Sequence, residues 1–211
     1  MMIKVCGMRE PDNIRAVEQL GIDWLGFIFW PKSSRYVAAR PNYLPTKAKR
    51  IGVFVDANIV DVCQNIDDYR LNAVQLHGQE NPDYVRALRS ACHVCCSSAA
   101  APAIIKAISV SSRDDIMTYK NYEGLVDYFL FDTKCKTVGG SGQQFDWTVL
   151  ADYVGETPFL LSGGIGPDDA ERVLAFHRPQ CIGIDLNSRF ETAPGLKDVH
   201  KLKEFIKNIR Q

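Results

Sequence analysis

Two reactive side chains, Cys6 and Asp132, each stand at the end of a short apolar run of the sequence. A thiol and a carboxylic acid brought together suit a reaction that moves protons on a small molecule, with one group as base and the other as acid. Apolar neighbours raise the pKa of a carboxyl group such as that of Asp132, which keeps the proton that a general acid needs. Taken singly, Cys6 also fits a small buried hydrophobe and Asp132 a turn residue. Their meaning depends on a fold that brings them together.

Glycine pairs in two later segments indicate a site for an anion. Gly139 and Gly140 follow one strand-like run, and Gly163 and Gly164 follow the next, directly before a helical segment. Backbone N–H groups that glycine leaves accessible near a helix start suit a phosphate group. One pair alone is weak evidence because turns need glycine anyway. Two pairs in adjacent loops are a more specific signal.

Three further groups have both a functional and a structural interpretation. Arg35, in the loop after the second strand, could hold a substrate carboxylate, although solvated surface arginines are commoner. His77 could carry a proton, but a hydrogen-bonded residue that fixes a loop is the simpler interpretation. Cys92, His93 and Cys95 contain a CxxC spacing, yet a second pair of zinc ligands is missing. Structural cysteines are therefore preferred over a metal site, and no metal is predicted.

The elements that must position these side chains alternate along the chain. Strands are predicted near 2–6, 23–29, 50–55, 73–76, 103–108, 127–132, 158–162 and 181–186. Helices are predicted at 11–20, 59–69, 82–91, 114–121, 147–153, 168–175 and 196–209, with a weak one at 41–48. Alternating strands and helices predict a parallel sheet with crossover helices. Eight strands with about eight helices predict a single (β/α)8 TIM barrel domain over residues 1–211, since the alternative open doubly wound sheet usually has five to seven strands.

The composition excludes several classes of function. Lys plus Arg and Asp plus Glu both number 25 in 211 residues, so the balance offers no footprint for nucleic acid. The longest apolar stretch is far shorter than a membrane span of ~20 residues, and no secretory signal is visible. Seven cysteines with irregular spacing do not form a disulfide framework, so reduced thiols in the cytoplasm are expected.

Eight short motifs occur in a fixed order along the chain: Ile3-Lys4-Val5-Cys6-Gly7, Ser33-Ser34-Arg35-Tyr36, Gln75-Leu76-His77-Gly78, Phe131-Asp132-Thr133, Gly139-Gly140-Ser141-Gly142, Phe145-Asp146-Trp147, Leu161-Ser162-Gly163-Gly164-Ile165 and Gly183-Ile184-Asp185 leading to Ser188. In their order and spacing, over essentially its whole length, the chain resembles the phosphoribosylanthranilate isomerases of tryptophan biosynthesis, which are (β/α)8 barrels. No single motif would suffice, and the set is specific.

The resemblance implies an Amadori rearrangement of N-(5-phosphoribosyl)anthranilate without a cofactor. It implies that Asp132 is the general acid, Cys6 the general base, and Arg35 the group that holds the anthranilate carboxylate. The phosphate would be held near residues of three loops, namely Gly140, Gly163, Gly164 and Ser188. A small phosphorylated substrate is the expected partner, and the protein is expected to be a monomer or a homodimer.

The chain departs from the family pattern at three places. Arg189 stands where a glycine is usual, Met8-Arg9 replaces a small β-branched residue and a polar one, and segment 92–101 looks unlike the family. The weighed alternatives are the histidine-pathway isomerase, indole-glycerol-phosphate synthase, and a barrel that binds a phosphorylated ligand without turnover. The first needs paired aspartates and a two-fold repeat, and the second needs lysines and a glutamate that cannot be placed.

Overall fold

The computed structural model describes residues 1–95, 101–134 and 145–210, and these form a closed eight-stranded barrel. The strands are β1 (Met2–Val5), β2 (Trp24–Ile28), β3 (Lys49–Phe54), β4 (Ala73–Leu76), β5 (Ala103–Val110), β6 (Tyr128–Thr133), β7 (Phe159–Leu161) and β8 (Cys181–Leu186). Each is parallel to the next, and β1 closes the ring by pairing with β8. The predicted (β/α)8 barrel is confirmed.

Helices surround the barrel along most of the crossovers. They are α1 (Pro11–Glu18), α2 (Ile59–Tyr69), α3 (Pro82–Cys95), α4 (Arg113–Met117), α5 (Ala170–Ala175) and α6 (Val199–Ile209). Short 3-10 helices occupy Thr118–Asn121, Trp147–Asp152, Pro167–Asp169 and Ser188–Phe190. Within the described residues, no helix combines the length and the apolar composition that crossing a membrane requires.

Alternation along each strand separates two apolar cores. Residues such as Ile3, Val5 and Phe129 belong to the large outer core, which also contains the buried faces of the helices. Their strand neighbours face the other way, into the barrel, where a smaller cluster consists of Trp24, Ile51, Ala73, Ile105, Ala107, Leu130 and Leu160. Successive residues of a strand point to opposite faces, so the parity of any residue on a strand tells whether it points inward.

The weak helix predicted at 41–48 is wrong, because this crossover is irregular. Its backbone N–H groups bond to the buried side chain of Glu18 at the end of α1. Glu18 Oε1 accepts from Thr46 N at 2.7 Å, Lys47 N at 2.6 Å and Ala48 N at 3.1 Å. One carboxylate therefore satisfies the donors that a helix would have satisfied, and Pro45 opposes a helix as well.

Several helix boundaries also differ from the predictions. The segment predicted at 114–121 is a short α-helix followed by a 3-10 turn, and that at 147–153 is 3-10 throughout. The last helix begins at Val199, after an Asp198 cap whose side chain accepts from Lys201 N. Leu196 instead belongs to a small antiparallel hairpin of β9 (Glu191–Ala193) and β10 (Leu196–Lys197), which no pattern in the sequence predicted.

Candidate active site

The barrel mouth gathers the carboxyl ends of the strands, and the predicted acid and base both lie there. Cys6 directly follows β1, and Asp132 is the penultimate residue of β6. Both have inward parity, because Val5 and Phe131 belong to the outer core. His77 follows β4 with the same parity. The fold thus brings three separately predicted residues to one opening.

Asp132 is held by neighbours on three sides. Its Oδ2 lies 3.3 Å from His77 Nε2, and its Oδ1 accepts from Thr133 N at 2.9 Å and lies 3.5 Å from Ser162 Oγ. Gln75 Nε2 lies 3.1 Å from Nδ1, the other ring nitrogen of His77. His77 therefore lies between Gln75 and the carboxyl group of Asp132 at the barrel mouth.

Cys6 is buried, with 4% of its surface exposed, and its thiol lies among charged groups. Burial raises the pKa of the Cys6 thiol, while the ammonium groups of Lys4 and Lys197 oppose that rise. Lys4 has no exposed surface, and its Nζ lies 2.9 Å from Asp185 Oδ1 on β8. Asp185 in turn interacts electrostatically with Asp132. A chain of ionisable groups thus connects the thiol to the carboxyl group across the mouth.

Arg35 is a buried residue and not a solvated surface charge. Its Nε lies 2.9 Å from Glu191 Oε1, and its Nη2 lies 2.7 Å from Glu191 Oε2, a bidentate grip on a carboxylate. Lys197 Nζ contacts the same carboxylate at 2.6 Å and Asn187 Oδ1 at 2.7 Å. The β9–β10 hairpin supplies both Glu191 and Lys197, so this small element anchors the arginine at the rim of the barrel.

The backbone around Arg35 requires a glycine after the cysteine. Gly7 has φ +75°, and a Cβ there would lie 2.8 Å from both Arg35 Cδ and Asn187 Oδ1. A side chain would therefore displace the groups that surround the thiol. This explains why the Cys-Gly order of the first motif matters to the site.

The predicted phosphate residues come together only in part within the described chain. Gly163 (φ +89°) and Gly164 (φ +70°) follow β7 in a conformation that L side chains rarely adopt. Ser188 follows β8, beside that loop, and a Cβ on Gly166 would lie 3.0 Å from Nε of Arg189. The guanidinium of Arg189 therefore lies over the glycine loop. Gly140, the fourth predicted residue, lies outside the described residues.

Sequence reasoning gave no role to Lys4, Asp185, Glu191 and Lys197. A signal was present for the first two, since each is a charged residue flanked by apolar ones inside a buried strand, Ile3-Lys4-Val5 and Ile184-Asp185-Leu186. That pattern places a charge inside the barrel. Glu191 and Lys197 gave no such signal, because the hairpin that carries them follows no periodic pattern.

Among the described residues, no group of three or more His, Cys, Asp or Glu side chains is arranged to hold a metal ion. Cys92 is a buried member of the outer core. Cys96 and the rest of segment 96–100 lie outside the described residues.

Comparison with known proteins identifies the family to which this arrangement belongs. The family profile described as N-(5'phosphoribosyl)anthranilate (PRA) isomerase matches residues 3–208. The N-(5'-phosphoribosyl)anthranilate isomerase of Phocaeicola vulgatus is 49% identical over 211 residues, covering 100% of this chain and 98% of its relative. The chain belongs to the phosphoribosylanthranilate isomerase family. The resemblance inferred from the motifs is therefore confirmed.

Solved structures of phosphoribosylanthranilate isomerases share the whole barrel. One, in complex with reduced 1-(o-carboxyphenylamino)-1-deoxyribulose 5-phosphate, has a TM-score of 0.81 and 30% identity, covering 100% of this chain and 98% of its own. A second, of mutually generated monomers of the dimeric isomerase from Thermotoga maritima, has a TM-score of 0.79 and 29% identity with the same coverage.

Proposed function

We propose that the isomerase reaction of this family proceeds here with Cys6 as general base and Asp132 as general acid. The protein isomerises N-(5'-phosphoribosyl)anthranilate, a step of tryptophan biosynthesis. The observation that supports the assignment is that a buried thiol and a carboxyl group face into one barrel mouth from β1 and β6. The strands β7 and β8 lie between them in the ring, so the two groups approach the mouth from different sides.

Asp132 and Cys6 carry out the first two proton transfers of this mechanism, and a tautomerisation completes it. Asp132 gives a proton to the furanose ring oxygen, the C1′–O bond breaks, and the nitrogen lone pair forms the C=N bond of a protonated Schiff base. The Cys6 thiolate then removes the C2′ proton, and the C–H electrons form a C1′=C2′ bond as the iminium becomes an amine. The resulting enolamine gains a proton at C1′ and loses the O2′ proton to give 1-(2-carboxyphenylamino)-1-deoxyribulose 5-phosphate.

The chemistry accounts for the residue types without a metal or an organic cofactor. The protonated imine is itself the electron sink, so the protein has to supply positioned proton transfer, worth ~10²–10⁴-fold for each group. The two anionic ends of the substrate orient the ribose between acid and base. The phosphate end would lie on the amides near Gly163, Gly164 and Ser188, with Gly140 completing the set, and the carboxylate end near Arg35.

The direct test is a fluorescence assay on freshly generated N-(5'-phosphoribosyl)anthranilate with no metal or cofactor added. Anthranilate fluorescence should fall in proportion to protein concentration, after the spontaneous hydrolysis of the substrate is subtracted. Folded protein that binds the reduced product analogue and gives no such decay would instead indicate a barrel that holds a phosphorylated ligand without turning it over.

Arg35→Lys should lower kcat/KM for the natural substrate by about 10- to 100-fold, the value of one lost charge-assisted hydrogen bond. Lysine keeps a positive charge for Glu191 but lacks the fixed fork of donors that can serve two carboxylates at once. The matched control is a substrate analogue with aniline in place of anthranilate, whose turnover should be insensitive to the substitution. An equal loss on both substrates would return Arg35 to a purely structural role.

Location and assembly are parts of the same proposal. Three of the seven cysteines, Cys6, Cys63 and Cys181, are free thiols, which supports a reducing cytoplasmic location. Both monomeric and dimeric forms are named for the Thermotoga maritima relative, which supports a monomer or a homodimer for this chain.

A further inference from the structure

Lys4 is buried in the barrel at a position that packing does not explain. Its side chain has no exposed surface, and β1 places it two residues before Cys6 with the same inward parity. Trp24, its register partner on β2, belongs to the apolar cluster inside the barrel, together with Leu160. Removing an ammonium group from water costs several kcal/mol, and a hydrophobic replacement of an ion pair is often as stable. The charge therefore calls for a reason other than stability.

We propose, building on the acid–base function above, that Lys4 is a positioning residue for Cys6. Its ammonium group, fixed by Asp185, stabilises the thiolate that removes the C2′ proton. The ammonium lies on the same face of the same strand as the thiol, and Asp185 Oδ1 holds Nζ at 2.9 Å. Because β1 and β8 are paired with Lys4 opposite Asp185, the location of this charge is set by the sheet itself.

The charges around Cys6 favour Lys4 over the other cations. Burial raises the pKa of the thiol, and among the opposing influences Lys4 is the largest, followed by Lys197, while Asp185 acts in the raising direction. The neighbouring strand β2 contributes Gly26, where a Cβ would lie 2.8 Å from Cys6 Sγ. The thiol thus packs against bare backbone on that side, and the cation with the largest influence on it lies on its own strand.

The second cation near the thiol is engaged elsewhere. Lys197 Nζ bonds to Glu191 and Asn187, and Arg35 shares the Glu191 carboxylate. Burial lowers the pKa of Lys197, whereas the pKa of Lys4 lies above its ordinary value because the carboxylate of Asp185 and the thiol outweigh its burial. Lys4 is therefore charged at neutral pH, when the thiolate must form.

The test compares four variants by titration of the Cys6 thiol. The thiolate is followed by its ultraviolet absorbance, as the difference between each protein and the same protein carrying Cys6→Ser. Lys4→Met should reduce the thiolate fraction at a given pH about tenfold or more, the usual effect of removing a close opposite charge. The double variant Lys4→Met/Asp185→Asn removes both charges and leaves neither ion unpaired in the core. Its thiolate fraction should also be lower than in wild type, by a smaller factor than in Lys4→Met.

The opposite charge provides the matched control. Asp185→Asn removes only the carboxylate that disfavours the thiolate, so its thiol should titrate at lower pH than in wild type. The rising limb of kcat/KM against pH should move with the thiol in each variant, a response that a merely structural lysine would not give. Lys4→Arg, which keeps the charge, should restore the wild-type titration.

Two results would overturn the role of Lys4. One is a Cys6 titration that is the same as in wild type in both Lys4→Met and Lys4→Met/Asp185→Asn. The other is a shifted Cys6 titration with a pH profile of kcat/KM that stays the same as in wild type. The titration uses no substrate, so it is independent of the proposed isomerase function. Wild-type protein without isomerase activity would contradict that function, and the titration would still decide whether Lys4 controls the thiol.

Discussion

Cys6→Ser should leave the barrel folded and lower kcat by about 10²- to 10⁴-fold, the range over which positioned bases act. Serine nearly matches the volume of cysteine, so the close contact at Gly26 is kept. Its hydroxyl ionises far less readily than a thiol and cannot supply the base. KM should change little, because the proposed carboxylate and phosphate contacts remain. The fluorescence assay under saturating substrate measures the loss.

Two variants make that result specific. Cys63→Ser changes a free, partly buried thiol on α2 and should retain wild-type kcat. Asp132→Asn keeps the size of the side chain while removing its proton donor, and should lose activity to a similar extent as Cys6→Ser. A kcat within about threefold of wild type in Cys6→Ser would assign the base to another group, since loss of a working base costs far more.

Glu191→Ala should lower the free energy of unfolding by about 3–5 kcal/mol, the usual cost of removing one partner from a buried ion pair. The carboxylate is 5% exposed and contacts both Arg35 and Lys197, so its loss leaves two buried cations facing each other. In a domain of this size the thermal midpoint should fall on the order of 10 °C. Urea unfolding at neutral pH measures the difference. Glu204→Ala, an exposed change on α6, should stay within about 0.5 kcal/mol of wild type.

The stabilisation by Glu191 should depend on pH in one direction. Burial raises its pKa, but the bonds from Arg35 and Lys197 outweigh burial and hold the pKa below the ordinary value of 4.5. A carboxyl group with a depressed pKa in the folded state stabilises the protein at pH above its unfolded pKa, and this is lost as pH falls through the folded pKa. The difference in the free energy of unfolding between wild type and Glu191→Ala should thus be constant from neutral pH down to about pH 5 and become smaller below pH 4. A constant difference at all pH values would contradict the ion-pair account.

The barrel itself was predictable because strand and helix patterns are local. Apolar runs such as 128–131 mark strands whose outward residues pack on helices, and the reactive residue that ends each run lies at the mouth by parallel topology alone. Cys6, Asp132 and His77 could be located in this way. The sequence resemblance then assigned roles that their positions alone left open.

The remaining features depend on contacts between distant parts of the chain. Glu18 satisfies three amides of segment 46–48, so a stretch with weak helical character stays irregular. Arg35 meets a carboxylate 156 residues away, on a hairpin that has no periodic signature. Neither contact can be read from local spacing, because the partners are 28 to 156 positions apart in sequence and meet only in the tertiary fold.

The ion pair of Lys4 and Asp185 has a consequence for synthesis of the chain on the ribosome. The two residues are 181 positions apart, so the first strand emerges with a lysine whose counterion has not yet been translated. An ammonium group without its carboxylate resists burial. The first strand can therefore bury this lysine together with its counterion only after β8 has been synthesised.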